Sequence, residues 1–380
     1  MFATALLARL PQGMASLAIL LMVRERTGSY AAAGVAVGAN AFASAAAAPL
    51  LGRLVDSFGR RAVLLPSACL QALALGGLVV AADVRAPAVV LVCLSAAGGA
   101  LMPPVAPTVR ALLREALPDP SVREAAYSLD SVVQEVIWTS GPLVVALVIT
   151  LGSAAAAVLV CAAVWLGGTA LFVASPLVAS SPRRPPGSRR ARALAIPQLR
   201  ALLGPIALTG VGLGAIEVGL PSLALHAGSR AAAGLLLALW SVGSMTGGLW
   251  YGSRAWRAPL VRRYRGLLLA AVVLTAPLIA ARTIPEGVAC SLLAGLTCAP
   301  VFACQYSLIG RAVTPGVETE AFTWVAAALI SGLAAGTALG GAVIGALGES
   351  APFVLSCLAT SAAALAAVRM AAPAAQRTAV

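Results

Sequence analysis

The amino-acid sequence predicts an all-α membrane protein of twelve transmembrane helices, arranged as two six-helix halves. Three observations carry that prediction. Hydrophobic residues fill 60% of the 380 positions and charged residues only 10%, mean hydropathy is +0.95, and the apolar residues form long unbroken runs separated by Arg-rich breaks. A soluble domain carries roughly 25% charged residues. About 20 apolar residues cross a bilayer as a helix, which satisfies its own backbone N–H and C=O groups where no water can. A barrel would need short alternating runs, and these runs are continuous.

In chain order the runs place helices at about 2–23, 30–51, 63–82, 87–109, 125–149, 153–178, 201–226, 231–252, 264–281, 287–310, 319–347 and 351–372. No basic stretch precedes the first run, so the first helix itself is expected to drive insertion without a cleavable signal. With both termini inside, 20 Arg fall on the cytoplasmic side (loops 52–62, 110–124, 179–200 and 253–265, residue 311 and the tail) and five outside (24, 26, 85, 230 and 282). That asymmetry predicts a multi-pass protein of the bacterial cytoplasmic membrane with cytoplasmic termini.

Residues 179–200, rich in Pro, Ser and Arg, read as a flexible cytoplasmic linker between an N-terminal bundle (1–178) and a C-terminal bundle (201–380). Its Arg cluster suits topology and contact with anionic lipid headgroups. An internal repeat supports the division: GSYAAAG at 28–34 recurs as GSRAAAG at 228–234, and Gly52 falls opposite Gly252 at the same spacing of 200. The second copy loses the charge pattern, because Asp56 stands opposite Trp256.

The formal charge of +13 raises the question of nucleic acid, but its location in membrane-flanking loops answers it, and no nucleic-acid partner is expected. The seven Cys all lie within apolar runs, without metal or redox spacing. No P-loop, His/Cys cluster or catalytic triad is present in the sequence. An enzyme, a cofactor, a metal and ATP-driven transport are therefore not expected.

The stretch 52–65, GRLVDSFGRRAVLL, combines Gly52, Asp56, Gly59, Arg60 and Arg61 between two apolar runs. It resembles the loop between helices 2 and 3 of major facilitator superfamily transporters, roughly G-x-x-x-D-[RK]-x-G-R-[RK], with Ser57 where the family often has Arg or Lys. With twelve helices and a basic central linker, the resemblance covers nearly the whole chain. Relatives usually carry a short cytoplasmic lead, whereas this chain starts almost inside its first helix. The resemblance implies the major facilitator fold: two halves that rock about a substrate cavity open to one side at a time, and a 2–3 loop that latches them on the cytoplasmic side. Gly52, Asp56, Gly59, Arg60 and Arg61 match that latch, with Arg110 as a partner for Asp56. The alternative is a topology signal alone.

Ionisable residues within the bilayer are costly and are functional candidates by default. Four stand out: Arg9 in helix 1, Asp130 and Glu135 in helix 5, and Glu217 in helix 7. Arg9, Gln12, Gly13 and Ser16 share one stripe, as do Asp130, Gln134, Trp138 and Gly141. Arg9 and Glu135 lie roughly 10–15 Å from the cytoplasmic ends of their helices. In the resembled fold those helices are neighbours, so an ion pair of Arg9 with Glu135 or Asp130 is expected, as glue or as a working site. Glu217 has no basic residue in its helix core and is a candidate for proton coupling or for a cationic substrate, against a carboxyl hydrogen-bonded within its own half. Asn40, Gln134, Trp138, Trp240, Gln305 and Tyr306 are candidate cavity residues, Trp240 because it sits mid-helix and away from the interface where Trp anchors. Gly332, Gly336 and Gly340 form a small-residue packing stripe.

Residues 138–142 partly resemble the Gly-Pro segment of proton-driven antiporters, but Leu143, Val144 and Val145 replace the glycines that follow there. The expected function is therefore secondary active transport, as a monomer, of a small lipophilic or metabolite-like molecule. Proton-coupled export is the expected mode. Import or facilitation of a neutral nutrient, and a non-transporting membrane sensor on the same fold, are the alternatives.

Overall fold

The computed structural model describes residues 2–179 and 192–368. Most of the basic linker at 179–200 and the last residues expected in helix 12 lie outside that set. The described residues contain helices and no strand. Eleven helical segments among them are long and apolar enough to cross a membrane.

The first crossing is α1 (Phe2–Arg9) continued by α2 (Pro11–Thr27). The helix is interrupted at Leu10 because Pro11 has no N–H to give. Next come α3 (Tyr30–Phe58) and α4 (Arg60–Asp83). The fourth crossing breaks into α5 (Ala88–Ala100) and α6 (Val105–Ala116), separated by Pro103 and Pro104. α7 (Pro120–Leu151) runs through Pro142 as one helix, and α8 (Ala154–Ala174) is followed by the single turn α9 (Pro176–Ala179). Beyond the linker lie α10 (Pro197–His226) and α11 (Arg230–Gly252). α12 (Leu260–Thr275) is too short to count among the eleven and is extended by a 3-10 turn at Ala276–Ile279. α13 (Ile284–Gly295) and α14 (Cys298–Ala312) make the tenth crossing, and α15 (Glu318–Leu347) and α16 (Ala351–Val368) complete the twelve.

The expected loop at 52–62 is corrected to a single residue. α3 continues through Arg53, Leu54, Val55, Asp56 and Ser57, and only Gly59 leaves the helix, at φ +93° and ψ 154°. Helix-compatible residues carry the helix past the apolar run, and glycine alone adopts that conformation at no steric cost. Likewise the polar stretch expected at 253–265 ends at Leu260, with Arg262, Arg263 and Arg265 inside the helix.

The repeat seen in the sequence is a structural repeat. Ser29 opens α3 and accepts from the Ala32 N–H; Ser229 opens α11 and accepts from the Ala232 N–H. Both are Ser caps satisfying an orphan first-turn donor.

By contacts the chain forms two compact units. One holds Met1–Leu112, Val136–Ala191 and Pro315–Trp324, and the other holds Leu113–Glu135, Arg192–Thr314 and Val325–Val380. The first has an apolar core built on α2, α4 and α8, with Met14, Ile19, Met22, Leu75, Leu78 and Trp165 buried together. The second has a smaller core of Leu220, Leu223, Leu236, Leu278 and Phe353. In it the stripe Gly332, Gly336 and Gly340 lies against α10, where a Cβ at Gly332 or Gly336 would sit 2.0–2.1 Å from the carbonyl oxygen of Ala207 or Val211. The small residues thus bring α15 onto α10 within one unit.

Candidate functional site

In the first unit, the motif at 52–61 meets the first turns of α15. Gly52 is buried, and a Cβ there would stand 2.5 Å from Thr323 Oγ1 and 3.0 Å from Glu320 Cα. That approach brings Asp56, one turn further on, to the helix end, where its Oδ1 and Oδ2 accept from the backbone N–H groups of Thr319 (3.1 Å) and Glu320 (2.8 Å). First-turn N–H groups have no partner within their own helix and the N-terminus carries positive partial charge, so a carboxylate is the group that fits. Arg53 Nε lies 3.8 Å from Glu320 Oε2. Arg60 and Arg61 open α4, and Arg110 is buried in α6. The sequence offered Arg110 as the partner of Asp56; the carboxylate instead accepts from a helix N-terminus and forms no ion pair among the described residues.

In the second unit, Gly252 repeats the close approach of Gly52. Its missing Cβ would lie 2.9 Å from Ser128 Cβ on α7, and the Ser128 hydroxyl donates to the Gly248 carbonyl at 2.6 Å. Nearby, a network absent from the sequence reading links three helices. Arg263 donates through Nη1 and Nη2 to the two carboxylate oxygens of Glu124, and Tyr251 Oη donates to Glu124 Oε1 at 2.5 Å and accepts from Arg263 Nη1 at 2.7 Å. A two-pronged guanidinium–carboxylate pair of this kind is the strong, geometrically specific form of ion pair. The sequence held no signal for it, because the stretch 110–124 carries three Arg and three acids and nothing sets Glu124 apart from Glu115 and Asp119.

Deeper in the same unit, α7, α10, α11 and α14 assemble a polar cluster. Glu135 is buried, and its Oε1 accepts from Cys298 Sγ at 3.7 Å. Ser241 and Ser244 lie beside the same carboxylate. It forms no ion pair among the described residues, so the pair expected between Arg9 and Glu135 is replaced by sulfhydryl and hydroxyl donors from α11 and α14. Glu217 on α10 is exposed, near enough to Glu135 for their charges to oppose one another, and has no hydrogen-bond or ion-pair partner among the described residues. Cys298 also borders a cavity of about 40 Å³ between α10, α11, α12 and α14, lined by Thr209, Leu213, Trp240, Thr297 and Phe302.

The remaining candidates divide by environment. Trp240 lines that cavity, and its Nε1 is buried without a partner among the described residues. Gln305 is fully buried; its Nε2 donates to Tyr264 Oη at 3.2 Å while its Oε1 is unpartnered. Tyr306 stacks on Phe302 and meets Tyr127 edge-on, each with ring centroids 6.3 Å apart. Asn40 donates to the Ser95 carbonyl at 2.7 Å, tying α3 to α5. Trp138 is exposed on α7, Gln134 is half-buried, and Asp130 and Arg9 are fully buried, the latter at the end of α1. Among the described residues no group of three or more His, Cys, Asp or Glu could hold a metal ion.

The family model described as "Major Facilitator Superfamily" matches residues 1–253. The chain belongs to the major facilitator superfamily. Solved structures of the superfamily share its fold over nearly the whole length. The human organic anion transporter MFSD10 (TETRAN) is 19% identical with a TM-score of 0.75, over 96% of this chain and 98% of its own. A bacterial homologue of the iron transporter ferroportin, in an outward-facing state, is 14% identical with a TM-score of 0.74, over 97% of each chain. The E. coli fucose:proton symporter FucP is 15% identical with a TM-score of 0.71, over 98% of this chain and 99% of its own. A comparison with curated proteins by sequence finds no match. At these identities the likeness establishes the fold of a multi-pass major facilitator and leaves the substrate to the site itself.

Proposed function

We propose that the protein is a secondary active transporter that moves a small lipophilic or metabolite-like molecule across the bacterial cytoplasmic membrane by alternating access, exporting it in exchange for protons. The superfamily fold supports the transporter class. The observation that carries proton coupling is Glu135, a buried carboxylate at membrane depth held by a sulfhydryl and not by a cation, with the uncompensated charge of Glu217 nearby on α10. Carboxyl groups so placed are proton carriers by chemistry, and an intramembrane carboxylate of this kind is a recognised element of proton relays. The scarcity of charged residues within the membrane helices favours a hydrophobic or weakly cationic cargo over a polyanion.

The Asp56 contact with α15 supplies a latch that can form and break, because its donors are backbone groups whose positions depend on helix placement alone. One experiment tests the coupling. In proteoliposomes with an imposed proton gradient, a panel of lipophilic cations, antibiotics and neutral sugars should include a compound that triggers proton movement opposite to its own. Glu217→Gln should abolish that movement while substrate binding persists. A variant that moves protons as the wild type does would remove Glu217 from the coupling path. Movement of protons and a sugar in the same direction would replace export with symport, the activity named for FucP.

A further inference from the structure

The unit that holds Glu124 contains a second cavity, of about 330 Å³, at the end of α7 and between α11 and α12. It is lined by Arg254, Arg257, Arg263 and Arg311 together with Trp256 and Glu124. One of these positive charges is neutralised, since Arg263 holds Glu124. Arg254, Arg257 and Arg311 pair with no carboxylate among the described residues; Arg254 lies instead over the Trp250 ring, 4.6 Å from its centroid. Asp119, which precedes the cavity-lining Pro120, is engaged by the N–H and hydroxyl of Ser121, each at 2.7 Å, which hold its carboxyl below the usual range.

The Arg263 side chain is only 7% exposed, and its Nε is buried with no hydrogen-bond partner. α12 begins at the cavity wall, at Leu260, and no side chain caps it. At the spacing of 200 residues from Asp56 the chain has Trp256 and no carboxylate. The Trp is fixed, stacked on Tyr251 at 5.1 Å with its Nε1 donating to the Tyr251 carbonyl at 2.9 Å.

We propose that this cavity is a binding site for a phosphate-bearing anion, held by the unpaired guanidinium groups of Arg254, Arg257 and Arg311. Guanidinium groups match phosphate oxygens in geometry and keep their charge at any physiological pH. An uncapped helix N-terminus favours an anion as well. The cavity opens at the ends of membrane helices, so the phosphate can belong to an anionic lipid headgroup or to a soluble phosphate.

The test uses the purified full-length protein in neutral maltoside micelles. Its thermal midpoint and tryptophan fluorescence are followed while sodium phosphate is exchanged for sodium chloride at constant ionic strength, and separately while phosphatidylglycerol is added to the micelles. A saturable response to either probe is expected. Arg257→Gln combined with Arg311→Gln should weaken it at least roughly tenfold, the loss of one to two charge-assisted hydrogen bonds. The midpoint in chloride should be unchanged, because neither side chain makes an ion pair. A response to phosphate alone identifies a soluble ligand, and a response to phosphatidylglycerol alone identifies the headgroup. No response to either probe overturns the site, as does a response of wild-type size in the double variant.

Discussion

Gly52→Ala is the sharpest single perturbation of the latch, because the structure gives its size. The added methyl would stand 2.5 Å from Thr323 Oγ1, 2.8 Å from Thr323 Cγ2 and 3.0 Å from Glu320 Cα. Comfortable contact begins at about 3.5 Å, so α3 and the start of α15 must separate by about 1 Å. Asp56 lies one turn away with bonds of 2.8 and 3.1 Å. The same displacement stretches both to about 4 Å, beyond hydrogen-bonding range. Overpacking costs about 1–3 kcal/mol, and each charge-assisted bond lost costs about 1.5–3 kcal/mol. Because Asp56 is only half-buried, about 2 kcal/mol is a fair lower figure, equivalent to roughly a thirtyfold fall in the latched population. The assay is initial transport rate in proteoliposomes together with thermal midpoint, for Gly52→Ala, Thr323→Ala and the double variant. Thr323→Ala removes the two nearest atoms, so the double variant should recover most of both losses. Wild-type behaviour of Gly52→Ala, or additive losses in the double variant, would refute the steric reasoning.

Other expectations follow from the same geometry. Asp56→Asn keeps an acceptor for one N–H of α15 but loses the charge; insertion and yield should match wild type while transport falls at least roughly tenfold, as the loss of about 1.5–3 kcal/mol requires. Tyr251→Phe deletes the hydroxyl shared by Glu124 and Arg263 and should lower stability by about 1–3 kcal/mol in a denaturation experiment. Arg263→Met strands Glu124 without its cation and should cost about 3–5 kcal/mol, whereas Arg263→Met with Glu124→Gln should cost clearly less; equal losses would mean that the pair is not a unit.

The membrane helices were legible in the sequence because each is a long apolar run, and α11, α15 and α16 begin within a residue of expectation. What misled was polarity at helix ends. α12 starts at Leu260, ahead of the expected 264, since Arg262 and Arg263 stand inside its first turn, and α3 runs on through Arg53 and Asp56. A hydropathy reading ends a helix where the membrane ends, while the backbone ends it at a breaker such as Gly59. The breaks at Leu10 and at 101–104 were written in Pro11, Pro103 and Pro104, yet continuous hydropathy concealed them. Asp56 was legible as a residue; its donors were not, because Thr319 and Glu320 lie 263 and 264 positions away. Separations of 127 and 139 positions likewise hid the bonds of Glu124 to Tyr251 and Arg263, and one of 163 hid the contact of Glu135 with Cys298.

The one-residue joint at Gly59 has a mechanical consequence. Two rods of 29 and 24 residues meet there with nothing between them that can absorb torque except the two backbone angles of a single glycine. A shift of the end of α3 by the pull of α15 on Asp56 therefore carries the start of α4 with it, since consecutive Cα atoms stay about 3.8 Å apart. At the repeated position the chain places residues 253–259 between α11 and α12, enough slack to let one helix turn while the other stays. The duplicated half-molecules thus carry one stiff coupling and one loose one, and a load on both would be relayed through the first and dissipated in the second.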